Sequence, residues 1–224
     1  MSDTPIDVFI DLPSFPGPVQ AGRLWSHFRK GRESASFEYN KEWLANPHRF
    51  ALEPLLPLAD GTFHTNPGQS VFGAIGDSTP DRWGRILMRR AELARARTAN
   101  ESPHTLSELD YLLRVNDEAR QGALRFSQDG GQSFCAPPGS TPIPPLVNLS
   151  RLLHAADHFC RDDENAEDLR LLLAPGSSLG GARPKASVKD KKGNLCIAKF
   201  PRYDDEYNVV AWEAVALTLA SKAG

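Results

Sequence analysis

The last quarter of the sequence holds residues whose types and order suit the handling of phosphate. Between an apolar helix-like run and a strand-like run, SSLGGARPKASV at residues 177–188 packs Ser177, Ser178, Gly180, Gly181, Ala182 and Lys185 into a turn. A loop grips an anion by aiming several backbone amides at it, and that needs glycine where a side chain would block approach or where φ must be positive. The string has neither the GxxxxGK[ST] pattern of P-loop ATPases nor the GxGxxG of dinucleotide folds, and a strand-like segment rather than a helix follows it. Further on, alternation along LCIAKF puts Leu195, Ile197 and Lys199 on one face, so a lysine shares its side of the sheet with core-type residues. In the closing helix Val209, Glu213, Ala216 and Ala220 follow the apolar stripe, which places a carboxylate on the inward face. Burying either charge alone is costly, whereas pairing Lys199 with Glu213 holds the lysine head ready for a phosphate. Taken singly, a Gly-Gly turn, a lysine snorkelling past a sheet edge and a glutamate tilted to water are all structural features. Glycine loop, hairpin, strand lysine and helix glutamate in that order form the phosphate-gripping half of a protein-kinase-type N-lobe.

Other candidates carry less. His154 and His158 stand four apart on a helical pattern with Cys160 nearby, but no third ligand is fixed, and no metal site is expected. Arg82, Arg85 and Arg89 form a basic stripe that reads as a solvated face or a protein interface. Cys135, Cys160 and Cys196 are odd in number and lack CxxC spacing, so they are expected to be packed, free thiols. Lys plus Arg is 26 against 28 for Asp plus Glu, too even a balance for an obvious nucleic-acid or membrane binder. With no apolar run near the length of a membrane span and no leader-like start, the expectation is a cytoplasmic protein.

The elements that must position these residues make an α+β chain. IDVFIDL, GRLWSHF and SASFEY read as a β-meander broken by Pro, Gly or charged turns. PDRWGRILMRRAELARA follows as a helix begun by Pro80 and Asp81, with Trp83, Ile86, Leu87, Ala91 and Ala94 at helical spacing. TLSELDYLLRV is a second helix, with Thr105 and Glu108 at capping-box spacing, and GALRFSQ a strand. FCAPPGSTPIPPL reads as an extended, structureless connection and sets the domain boundary. The expected division is 1–133, a linker at 134–145, and 146–224, the last holding two helices, a hairpin turning at Lys-Lys-Gly-Asn, and the closing helix.

SSLGGARPKASV, CIAKFP and VVAWEAVALTLASKAG resemble the start of the kinase domain in HipA-family serine/threonine kinases, the toxins of bacterial toxin–antitoxin modules. FEYNKEWL, PLLPL, TPDRWGRILMRR and DYLLRVNDEARQGALRF are similar to the N-terminal subdomain that precedes the kinase lobes in that family, so the resemblance runs over nearly the whole chain. It implies a HipA N-terminal subdomain followed by part of a kinase N-lobe. It also implies ATP contacts from Gly180, Gly181, Ala182 and Lys185, with Lys199 meeting the phosphates and Glu213 bracing it. Ser178 matches the loop serine that the family autophosphorylates to switch itself off, with Ser177 directly beside it. In this family the catalytic aspartate and the magnesium ligands lie in a C-terminal lobe, expected beyond Gly224, so the chain resembles a kinase truncated before that lobe, with no catalytic residue of its own. The implied partners are a DNA-binding antitoxin and a protein substrate, by family an aminoacyl-tRNA synthetase, with no direct nucleic-acid or membrane contact. The alternative is a non-catalytic module that docks or neutralises a separate kinase.

Overall fold

A computed structural model describes residues 5–136, 143–176 and 181–224. The chain divides into two compact units, Met1–Pro80 with His104–Gly139, and Asp81–Pro103 with Ser140–Gly224. The first unit is built on an antiparallel sheet of β1 (Ile6–Ile10), β2 (Val19–Arg29), β3 (Arg32–Tyr39), β4 (Thr62–His64) and β5 (Leu124–Ser127), in the order β4-β3-β2-β1-β5. Lys30 and Gly31 both take positive φ, 51° and 75°, as a two-residue hairpin turn requires, and this sets Arg29 opposite Arg32. Ile6, Val8, Ile10, Leu24, Phe37 and Phe126 meet Trp43 of the short helix α1 (Lys41–Ala45) and Ile75 of α2 (Gly73–Gly76) in one core.

Helix α4 (Glu108–Leu113) closes that core with Leu112. Its capping box is Ser107 with Asp110, not the expected Thr105 with Glu108. Both pairs have the right spacing, and a residue of the sheet decides between them. The Glu33 carboxylate of β3 accepts the amides of Glu108 at 2.8 Å and Leu109 at 3.2 Å, so the first turn finds its acceptors only if it begins there.

The second unit assembles α3 (Arg82–Ala99), α5 (Leu149–Cys160), α6 (Ala166–Gly176), a hairpin of β6 (Lys185–Lys189) and β7 (Leu195–Lys199), and α7 (Val209–Ala223). Trp83 and Leu87 of α3 pack with Leu152, Phe159, Leu172, Ala186 and Val188. A Cβ on Gly176 would stand 2.6 Å from Leu87 and 3.0 Å from the Trp83 indole, so only glycine lets α6 come this close to α3. The later change of unit, between Gly139 and Ser140, falls within the Pro-rich stretch as expected, but α3 belongs with the second unit although its sequence lies inside the first. Periodicity shows that α3 has an apolar face but not which element covers it.

The described ends of the expected linker are also tied down. Cys135 exchanges backbone bonds with Phe126 and Asp117, Phe134 packs edge-on against Phe9, and Pro144 accepts the Lys189 amide at 2.9 Å. Residues 137–142 lie outside the described residues.

Candidate functional site

The hairpin register sets Lys185 opposite Lys199, Ser187 opposite Ile197 and Lys189 opposite Leu195. Directly opposed residues of an antiparallel pair project to the same side, so Lys185 and Lys199 share one face while Ala186, Val188 and Ala198 turn to the core on the other. Alternation does put Leu195, Ile197 and Lys199 together, but along β7 that face is open, Leu195 being 49% and Ile197 54% exposed, whereas Lys185 and Ser187 on the same face of β6 are buried. The expectation of an inward Lys199 and Glu213 is corrected accordingly. Helix α7 buries none of its residues, and Glu213 meets Lys199 in an ion pair on the open side.

Lys185 is only 6% exposed. A Cβ on Gly181, whose φ is +84°, would lie 3.3 Å from the Lys185 ammonium. Burial depresses the lysine pKa, Asp81 opposes this, and Lys199 and Arg183 add to it. Ala182 is exposed between these residues, and Arg183 is fastened to Asp205 at 2.6 Å. Ser178 and Gly180 lie outside the described residues. Two lysines on one face, one against a positive-φ glycine and within the field of Asp81, the other held by a glutamate, make a small bay beside a groove lined in part by Leu149, Leu153, Phe200 and Val209. Such a bay can meet a polyanion by charge.

Sequence reasoning saw Asp81 only as a helix start. The carboxylate does accept the Arg82 amide at 2.8 Å, but it also accepts the amide of Gly181, 100 residues away in the chain. These two amides, with the nearby charges of Lys185 and Arg85, hold its pKa below the ordinary carboxylate range. Trp83 adds a backbone bond to the Gly181 carbonyl at 3.0 Å, and its indole donates to the Lys185 carbonyl at 2.9 Å. An Asp-x-Trp at a helix start gives no sign of a partner so distant in sequence.

Residues 17–127 match the family model of the HipA N-terminal domain. The chain belongs to the HipA family. Comparison with curated proteins returns no match. The matched stretch contains α3, so HipA sequence reaches into the unit that carries the bay. Within it, DYLLRVNDEARQGALRF is a scaffold. Arg120 is buried and donates to the carbonyls of Ser78, Leu112 and Val115, while Asn116 caps a 3-10 turn over Asp117–Ala119.

The remaining candidates have structural explanations. The His158 ring bonds the Asp168 carboxylate at 3.0 Å, Asp168 in turn accepts the Asn165 amide at the start of α6, and the His154 ring lies against His158. Among the described residues no group of three or more His, Cys, Asp or Glu side chains is placed to hold a metal, and no helix is long and apolar enough to cross a membrane. Of the α3 arginines, Arg82 and Arg89 are exposed, while Arg90 is fastened to Glu164 at 2.8 Å.

Proposed function

We propose that this chain supplies the nucleotide-phosphate grip of a HipA-like serine/threonine protein kinase acting in a toxin–antitoxin module. One observation carries the reading: Lys185 and Lys199 stand opposite each other on one face of the hairpin, Lys185 under Gly181 and Lys199 paired with Glu213. The donor set fits a polyphosphate by charge, because two ammonium groups share one face of the hairpin, while the Gly181 amide is already given to Asp81. Gly181, Ala182 and Lys185 would hold the phosphates, with Lys199 oriented to them by Glu213, and the adjoining apolar groove offers a flat surface for a base. ATP, when bound, supplies the phosphoryl group to be transferred. Glu213 draws the lysine head toward α7, so Lys199 is presented from a fixed direction instead of sweeping through solvent.

Phosphoryl transfer also needs an aspartate to orient the attacking hydroxyl and further ligands for magnesium, which the reading assigns to a C-terminal lobe. HipA proteins work in toxin–antitoxin modules, and this supports an antitoxin as partner; its DNA-binding character and a synthetase as protein substrate belong to the same reading. Ser178 is proposed as the regulatory phosphoacceptor, since about two added negative charges at the loop would repel nucleotide phosphates.

The test is a titration of the isotope-labelled 224-residue chain with MgATP, followed by amide chemical shifts. Saturable shifts confined to residues 181–199 and the start of α7, lost in Lys199→Ala and Lys185→Ala, are expected. Unperturbed amides in this region at millimolar nucleotide would refute the reading.

A further inference from the structure

Gly181, the first residue of the glycine loop that the structure describes, is held at both its amide and its carbonyl by the start of α3. Oδ1 of Asp81 caps the helix by accepting the Arg82 amide at 2.8 Å, and Oδ2 accepts the amide of Gly181. The Gly181 carbonyl in turn accepts the Trp83 amide at 3.0 Å. An N-cap aspartate ordinarily spends its side chain on its own helix. Here the two oxygens divide the work, and the carboxylate becomes a bridge between helix and loop. The consequence reaches the bay because the same three residues also fix β6. The Trp83 indole holds the Lys185 carbonyl, and the Lys185 ammonium lies beneath Gly181 within the field of Asp81. A charge-assisted bond to a backbone amide is about twice as strong as a neutral one, and Gly181, at φ +84°, has little of its own to hold that conformation.

We propose that Asp81 is a positioning residue that fixes Gly181 and through it Lys185, so that α3 acts as the rear support of the anion bay. The proposal rests on reading residues 181–199 as the anion grip, and two separate readouts keep the claims apart. The first is amide hydrogen exchange of the full 224-residue chain. Asp81→Ala should speed exchange at Gly181 about tenfold, the loss of one charge-assisted bond, and leave unchanged Lys189, whose amide is bound to Pro144. Asp81→Asn keeps one acceptor oxygen and should fall between the two.

The second readout is a titration with sodium tripolyphosphate. Asp81→Ala should weaken the response of Lys185 at least several-fold while that of Lys199, held by Glu213, persists; Asp81→Asn should restore part of it. Unchanged exchange at Gly181 in Asp81→Ala overturns the proposal. So does equal acceleration at Lys189, which would mean that Asp81 only stabilises the unit. Tighter tripolyphosphate binding in Asp81→Ala also overturns it, since the carboxylate would then be a competitor of the anion and not its support. If tripolyphosphate perturbs neither lysine in the unsubstituted chain, the anion-grip reading fails and the proposed role in the bay fails with it, while exchange at Gly181 still reports whether Asp81 holds the loop.

Discussion

Replacing Arg120 should cost the first unit more than any substitution of a surface charge. Its guanidinium is 2% exposed, lies 4.8 Å over the Phe126 ring, and donates to three carbonyls, Ser78 and Leu112 at 2.9 Å and Val115 at 3.1 Å. Burial lowers its pKa to about 10, partly offset by the nearby Asp117 charge. Alanine at this position leaves three buried carbonyls to find new donors, at about 1–3 kcal/mol each where none is found. Water entering the space left behind relieves part of that cost. The Asp117 carboxylate is not orphaned, because Arg125 also pairs with it. The total should therefore fall at about 3–5 kcal/mol, the range for breaking one side of a buried charged network, against a whole-domain stability of about 5–15 kcal/mol. Arg120→Met fills much of the volume without supplying a donor, so it should recover the cavity contribution and no more. Urea unfolding followed by near-UV circular dichroism and by tryptophan fluorescence, to which the buried Trp43 of this unit contributes, measures both variants. A loss below about 1 kcal/mol for Arg120→Ala would refute the reasoning, since it would mean that the carbonyls bond elsewhere and the guanidinium holds nothing.

A double-mutant cycle on Lys199→Ala and Glu213→Ala should give a coupling of about 1 kcal/mol or less that shrinks as salt is added, because the side chains are 49% and 36% exposed; a larger, salt-insensitive value would show a desolvated pair. Iodoacetamide should label Cys196 before Cys135, since Cys196 is exposed while burial pushes the Cys135 thiol up to about 11 and keeps it protonated at neutral pH; peptide mapping at short times reads the order. Burial raises the Asp110 pKa, but the Ser107 amide and hydroxyl and His104 outweigh it and leave the carboxyl below its ordinary value. Its contribution is thus present above the ordinary carboxylate range and lost as pH falls through the depressed value. The urea midpoint of the first unit should fall with that titration, and the corresponding component should vanish in Asp110→Asn.

The sequence shows periods more readily than neighbours, and the outcome follows that division. β1, β2, β3 and β5 and the long helices stand where alternation and helical spacing put them, because each period is local. The three-residue strand β4 is too short to have a period, and it exists because its partner β3 offers an edge. The pairing of Lys199 with Glu213 was legible from two charges on otherwise apolar faces. The side of the sheet they occupy was not, since alternation tells which residues share a face and says nothing of what covers it. The choice of Ser107 over Thr105 depends on Glu33, and the hold on Gly181 depends on Asp81. Each is a carboxylate brought from a distant part of the chain to a backbone amide.

The discontinuity of the second unit ties the matched stretch to sequence that lies beyond its residue limits. The HipA match ends at residue 127, before α5, α6 and the hairpin begin. Yet Trp83 and Leu87, inside the match, are core residues of the second unit, and Trp83 bonds the carbonyl of Lys185. A Trp83 that serves this core must have something like α6 and β6 to pack against, because its indole N–H is buried and needs an acceptor. The matched stretch therefore carries, in one helix, half of a contact whose other half lies beyond it. A cut at residue 127 would remove the Lys185 carbonyl and the apolar faces of α5 and α6, leaving Trp83 and Leu87 uncovered on α3. Such a cut should turn α3 into an exposed apolar helix, while the antiparallel sheet, whose core takes nothing from α3, retains its packing.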